Sequence, residues 1–255
     1  SFSMGKNKIL SQWKTNFSFF SQEIGILRSS HVGNTNDLVY AIELARPTII
    51  QPFDHKVNPP KQVNNHHAAS IQYSIRNSSS GKLNAKYSWQ RNNRKEYDVR
   101  RGDLKNKPAL DLTLNTHDLH SNYQWEKSNW SLDSGVFFQI QDNYSNPDTG
   151  TRRLIPDYLK TELGTYFTAS FIPSNNLGLA FGLRFGHQNN HVKKYYKNKR
   201  WKEENYQEKL GSLVIKEVPS QKLVEQRLIF NNLSLNTGVK FSVLERLKIS
   251  LNLFH

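Results

Sequence analysis

Apolar and polar residues alternate through segment after segment of this chain, and that alternation constrains its fold more than any other feature. A period of two places successive side chains on opposite faces of an extended strand. In LGLAFGLRFGH (177–187), Leu177, Leu179, Phe181, Leu183 and Phe185 fall on one face, and Gly178, Ala180, Gly182, Arg184 and Gly186 on the other. Glycines four apart would also suit the small-residue face of a packed membrane helix. That reading fails on length: a spanning helix needs roughly 18–20 apolar residues, and this run is shorter and carries Arg184. With a mean hydropathy of −0.71, the chain offers no other run for such a helix.

The same pattern recurs in AASIQYSIR, LNAKYSWQRN, WSLDSGVFFQIQ, LKTELGTYFTASF, FNNLSLNTGVKFS and LKISLNLF, and more weakly in WKTNFSFFSQ. In LDLTLNTHDLHSNYQW the apolar phase runs through Leu110, Leu112 and Leu114, then returns on the other phase at Leu119, Tyr123 and Trp125. That switch predicts a β-bulge. The count is about nine strands, many of about ten or more residues, where soluble strands run nearer five or six. Short polar turns at 77–82, 126–129, 172–176 and 243–246 alternate with long segments at roughly 28–65, 93–109, 142–157 and 188–227. Segregation of loop length by parity is the mark of an outer-membrane barrel, with short periplasmic turns and long extracellular loops.

The expected fold is therefore all-β: an antiparallel, up-and-down transmembrane β-barrel segment, incomplete as a barrel. The lipid face takes Ile71, Tyr73, Trp89, Leu163, Phe167, Leu179, Phe181, Phe185, Leu235 and Phe241. The lumen face takes Arg76, Lys86, Gln90, Lys160, Glu162, Gly178, Gly182, Arg184, Gly186 and Lys240. The alternative is a soluble sandwich with its apolar faces turned inward against each other.

The chain has 255 residues and no cysteine, which excludes disulfide frameworks and zinc–thiolate sites. It carries 35 Lys+Arg against 21 Asp+Glu, a net charge of +14. These cations are spread over loops and polar faces, so the charge is no nucleic-acid footprint. His66 and His67 are adjacent in a strand and must point to opposite faces, so they cannot chelate together. His31, His55, His187 and His191 lie in or beside long segments, as polar loop residues or as contacts to a metal chelate. In RNNRKEYDVRRGD (91–103), Arg91, Arg94, Lys95, Arg100 and Arg101 either grip an anionic siderophore or lipopolysaccharide phosphate, or pair with Glu96, Asp98 and Asp103 in a salt-bridge network of the strand end and loop. The segment HVKKYYKNKRWKEENYQEK interleaves cations with Tyr195, Tyr196, Trp201 and Tyr206 and reads as a solvated loop, with ligand capture as its second role. The ligand-binding candidates are His31, Asp37, Arg94, Arg100, Arg101, His187 and Trp201. No phosphate-binding glycine loop, nucleophile elbow or zinc-protease motif is present, so neither catalytic residues nor a cofactor nor a resident metal is expected.

Several segments together resemble a known family. EIGILRSSHVGNTNDLVYAI followed by PFDHKVNPPKQVNNHHAASIQYS, then YSWQRNNRKEYDVRRGDLKNKPALDLTLNTH, LIPDYLKTELGTYF with LGLAFGLRFGH, and NNLSLNTGVKFSVLERLKISLNLF are similar, in order, to the barrel of a TonB-dependent outer-membrane receptor of the type common in Bacteroidetes. The resemblance spans nearly the whole chain and is weakest over 188–227. It implies a barrel of about 22 strands around an N-terminal plug, in the outer membrane of a Gram-negative bacterium. It also implies uptake of an iron–siderophore, haem or cobalamin, powered by the TonB system through the plug and its TonB box. Neither a signal peptide nor a plug is recognisable here, so residues 1–255 are expected to be one partial barrel domain from inside a longer chain. Its partners would be outer-membrane lipid and lipopolysaccharide, a small nutrient chelate and TonB, with no nucleic acid. A porin or adhesin barrel would share the strands and loop parity but lack a plug upstream.

Overall fold

The computed structural model describes all residues except 28–33, 45, 48, 51, 53, 78–79, 152, 245–246 and 255. Its strands are β1 (Phe2–Asn7), β2 (Ser11–Gly25), β3 (Lys61–Arg76), β4 (Gly81–Tyr97), β5 (Leu110–Lys127), β6 (Trp130–Ser145), β7 (Asp157–Ser174), β8 (Leu177–Lys197), β9 (Val214–Val218), β10 (Gln221–Leu244) and β11 (Leu247–Phe254). Three short helices lie in the long connections: α1 (Thr35–Glu43), α2 (Asn198–Glu203) and α3 (Tyr206–Leu210). All described strands join one antiparallel sheet whose neighbours follow chain order, with β9 added beside β10. This is the up-and-down arrangement that the alternation predicts. Two strands exceed the expected nine: β1 and β9 have only 6 and 5 residues, too short to display a period in sequence.

The strands are longer than the alternation suggests: β5 has 18 residues, β8 21 and β10 24. A tilted strand needs about 9–11 residues to cross a membrane, so these run well beyond any such span. Segments 93–97, 142–145, 188–197 and 221–227 are strand rather than loop. They are mostly polar, and their scattered apolar residues, such as Val192, Leu223 and Val224, do not alternate with period two. His187 and His191 accordingly stand within β8, not in a loop. The parity of the connections stands: 8–10, 77–80, 128–129, 175–176 and 245–246 are short, while 26–60, 98–109, 146–156 and 198–220 are long and gather at the opposite end of the sheet. Of the short turns, 78–79 and 245–246 lie outside the described residues.

The bulge expected in β5 is absent. Its register runs unbroken against β4 from Gly81↔Trp125 to Glu96↔Leu110, and against β6 from Lys127↔Trp130 to Leu112↔Ser145. A straight strand therefore presents Leu110, Leu112 and Leu114 on one face and Leu119, Tyr123 and Trp125 on the other. The phase changes because the surroundings change. Near the long-connection end, segments 98–109 and 146–156 are tied together, with an Arg100 guanidinium N–H donating to the Thr149 carbonyl at 2.6 Å. Asn146 N–H likewise donates to the Asp111 carbonyl at 2.9 Å. There Leu112 is 8% exposed, covered by protein on the face that is polar elsewhere.

The rest of the sheet inverts the burial pattern of a soluble domain. Among the described residues the buried apolar side chains are Leu112, Trp201 and Val224, whereas Leu163, Phe167, Phe181, Phe185 and Leu233 are exposed. The buried polar ones include Ser74, Thr116, Asn143 and Ser145, on the opposite face. Burying a Leu or Phe side chain stabilises by about 1.5–3 kcal/mol in water, so a water-soluble sheet would cover its apolar face. Among the described residues no second sheet lies against it, so they do not form the sandwich alternative. No described helix is long and apolar enough to cross a membrane. The solvent this apolar face requires is hydrocarbon, with the strands themselves as the crossing elements.

Candidate functional site

Cross-strand register sorts every strand residue onto one face or the other. Arg76, Lys86, Gln90, Lys160, Glu162, Gly178, Gly182, Arg184, Gly186 and Lys240 all lie on the polar face. Ile71, Tyr73, Trp89, Leu163, Phe167, Leu179, Phe181, Phe185, Leu235 and Phe241 all lie on the apolar face. A hollow of about 860 Å³ opens on the polar face, lined among others by His120, Phe137, Tyr166, Thr168, Arg184 and Asn236.

The wall of this hollow is built from glycine–aromatic couples on β6 and β7. Gly135 is opposite Tyr166, and Phe137 is opposite Gly164. Each ring lies across the neighbouring strand's glycine: a Cβ on Gly164 would stand 2.1 Å from Phe137 Cε1, and one on Gly135 2.5 Å from Tyr166 Cε1. The rings then recruit polar partners. The Arg184 guanidinium carbon is 5.3 Å from the centre of the Phe137 ring, a cation–π contact. His120 stacks on Tyr166 at 6.1 Å. Tyr166 O–H donates to Asp133 at 3.3 Å, and Asp133 also accepts from Asn122 at 3.0 Å and Gln124 at 3.2 Å. By contrast, Gly178, Gly182 and Gly186 face only ordinary contacts or open space, and the β8–β10 register is continuous past all three. Their spacing keeps the wall thin in front of the hollow and marks no bulge. Gly164→Ala is expected to destabilise the complete barrel protein by about 1–3 kcal/mol through overpacking. Adding Phe137→Leu should recover part of the loss, measured as non-additivity in denaturant unfolding.

Further along the polar face the wall is cross-linked. Lys160 pairs with Glu162 at 2.7 Å and donates to Gln139 at 2.9 Å, and Gln139 donates to Asp118 at 2.7 Å. Arg94 pairs with Glu96. The basic stretch 91–103 does not converge: Arg91 and Lys95 point to the apolar side and Arg94 to the polar side, while Arg100 is committed to the Thr149 carbonyl. Arg101 stands exposed at the start of a 3₁₀ turn. Asp37 belongs to the cap of α1, where its N–H donates to Asn34 Oδ1 at 2.9 Å. His31 lies outside the described residues.

Two of the sequence candidates are placed differently from expectation. His187 stands mid-strand on the apolar face, its Nδ1 2.8 Å from Asn231 Oδ1, away from the hollow. Trp201 is 4% exposed and forms the core of a small outer cap. Its Nε1–H donates to Gln207 at 3.1 Å, and its ring meets Tyr196 at 5.8 Å and Tyr206 at 6.0 Å, edge to face. Lys222 Nζ lies 5.5 Å from its centre. The aromatic spacing that suggests ligand capture is spent on holding the cap together, and burial raises the Tyr196 phenol above its ordinary pKa. At the foot of this cap His191 hydrogen-bonds Glu225, which, with Lys193 alongside, holds the carboxyl below its usual range. As expected, His66 and His67 diverge: His66 faces Asn92, and His67 meets Phe19 at 4.8 Å on the other side.

No family model and no curated protein matches the chain. Solved structures do match. The open form of the ferric-catecholate import receptor Fiu from E. coli K12 aligns with a TM-score of 0.63 at 10% identity, over 96% of this chain and 44% of that one. The FrpB iron transporter from Neisseria meningitidis aligns with a TM-score of 0.60 at 15% identity, over 98% and 35%. The siderophore receptor PiuA from Acinetobacter baumannii aligns with a TM-score of 0.59 at 8% identity, over 98% and 40%. The chain therefore spans less than half the length of each of these proteins. At such identities the likeness is one of fold, and it covers nearly every residue: the chain has the fold of a continuous arc of the β-barrel wall of these proteins.

Proposed function

We propose that the chain forms part of the barrel of an outer-membrane active-transport receptor for a scarce nutrient of the iron–siderophore, haem or cobalamin class. The observation that carries this reading is the continuous sheet with an exposed apolar face, a hollowed polar face and its long connections at one end. The apolar face, with the ten residues from Ile71 to Phe241, lies against lipid. The polar face, with Arg76, Lys86, Arg184 and their neighbours, is the inner wall. The long connections gather outside the cell, and Asp37, Arg94, Arg100 and Arg101 stand at the end where a ligand arrives. Unpaired backbone groups at the β1 and β11 edges would be costly in hydrocarbon, so further strands of the parent chain close the barrel, and residues 1–255 are one part of its barrel domain.

Energy coupling through TonB and a plug rests on the family resemblance, and iron as cargo rests on the likeness to Fiu, FrpB and PiuA. The test is uptake. In a strain whose only outer-membrane route is the complete receptor, one labelled ferric chelate, haem or cobalamin should accumulate, and removal of TonB should abolish that accumulation. Equal uptake with and without TonB would replace this reading with a passive porin.

A further inference from the structure

Beyond the apolar face, the tip formed by β8 and β10 stands in water on both sides. β7 accompanies β8 only as far as the row Asp157–Lys193–Glu225. Past that row, residues 194–197 of β8 pair with 221–224 of β10, and the short β9 lies along the other edge of β10. A few short strands wet on both faces are marginal by themselves. What clasps the foot of the tip therefore decides how well it is ordered. On one face the clasp is apolar: Tyr196 and Lys222 carry the Trp201 cap, and Val224 on the same face is 2% exposed.

On the other face the clasp is polar. His191 hydrogen-bonds Glu225 across the two strands, and Lys193 Nζ lies 3.6 Å from the same carboxylate oxygen. Four further groups surround this pair. Arg227 is opposite His191 on β10, and Asp157 is opposite Lys193 on β7, held by Arg153 at 2.9 Å. Lys216 of β9 is opposite Leu223, one row further out, and His187 lies four residues back on β8 with its Nδ1 on Asn231. Asp157 is engaged, so Glu225 is the carboxylate that answers the imidazole. Arg227 is exposed, and its long stem lets the guanidinium turn into water. Glu225 is in hydrogen-bond contact, so its attraction for a charged His191 outweighs repulsion from Arg227. The hydrogen bond from His191, with Lys193 alongside, holds the Glu225 carboxyl below its usual range. It therefore stays charged throughout the range in which a histidine ordinarily titrates, between about pH 5 and 8.

We propose that His191 and Glu225 form a proton-operated latch for the outer cap. With the imidazole charged, the two make an ion pair in hydrogen-bond contact and clasp β8 to β10 at the foot of the cap. With the imidazole neutral, only the hydrogen bond remains, and the cap opens more often. The latch is strongest on the acid side of neutrality and weakens as pH rises through the histidine range. It fails again only where acid protonates Glu225. The cap lies on the polar face, because Tyr196 and Lys222 share the face of Arg184. Its order thus sets how far that end of the inner wall stands open to an incoming ligand. This last consequence rests on the transport role; the latch itself does not.

A nitroxide attached at Lys202→Cys, an exposed position of the cap, reports cap order in the complete receptor as the ratio of mobile to ordered label. From roughly pH 5.5 to pH 8 that ratio should rise about threefold, the scale of one partly exposed ion pair. His191→Gln should abolish the change. His191→Lys, charged at both pH values, should hold the low ratio throughout, and His187→Gln should leave the change intact. No change in the parent, the same change in His191→Gln, its loss in His187→Gln, or a high ratio in His191→Lys overturns the latch. Uptake of the labelled chelates by the same receptor is scored separately. A receptor that transports none of them but keeps the pH-dependent ratio loses the transport role and keeps the latch.

Discussion

Phe167→Arg should cost about 2–4 kcal/mol in the complete receptor, the scale of a lipid-facing arginine near the middle of a bilayer. Phe167 is 37% exposed and sits in register between Ser134 and Leu183, with Val136, Phe181 and Phe185 around it. None of these offers a counter-charge. Thr168→Arg, one residue along, points to the polar side between Asp133 and Gly182, and should cost under about 1 kcal/mol because a carboxylate and open space receive it. Reversible urea unfolding into lipid vesicles measures both. Equal costs for the two variants would show that the faces do not see different solvents, and the membrane reading would fail with that result.

Trp201→Ala should have the second large effect, confined to the outer cap. Phe or Trp→Ala in a packed core costs about 3–5 kcal/mol, and Trp201 is the most buried side chain of the segment joining β8 to β10. Its loss removes the partner of Tyr196, Tyr206 and Lys222 and leaves Gln207 without its indole donor. The cap opens locally, since α2 and α3 have 6 and 5 residues and cannot persist alone. Limited proteolysis between 198 and 213 should accelerate by about two orders of magnitude or more, while urea unfolding of the barrel strands stays where it was. Cleavage at the parental rate would show that the cap does not depend on its aromatic core.

The features legible in advance were those that repeat locally. Leu177 to Phe185 alternate with Gly178 to Gly186 strongly enough to assign both faces of β8, and the same holds for the membrane-level half of each long strand. Where both faces meet water, as at Asn92–Asn93 or His187–Lys197, no contrast between neighbours survives and strand looks like loop. The phase switch in β5 mimics a bulge because local alternation cannot distinguish an inserted residue from a change of surroundings.

The amino-acid sequence by itself determined the all-β class, the two-faced strands and the parity of short and long connections, because a period of two and a turn are properties of consecutive residues. Only the tertiary structure decided which rows those strands form. Register is a long-range choice, made by pairing residues far apart in the chain, and nothing in a single strand states it. That choice lays Phe137 over Gly164 and under Arg184 and closes the Tyr196–Trp201–Tyr206 cap.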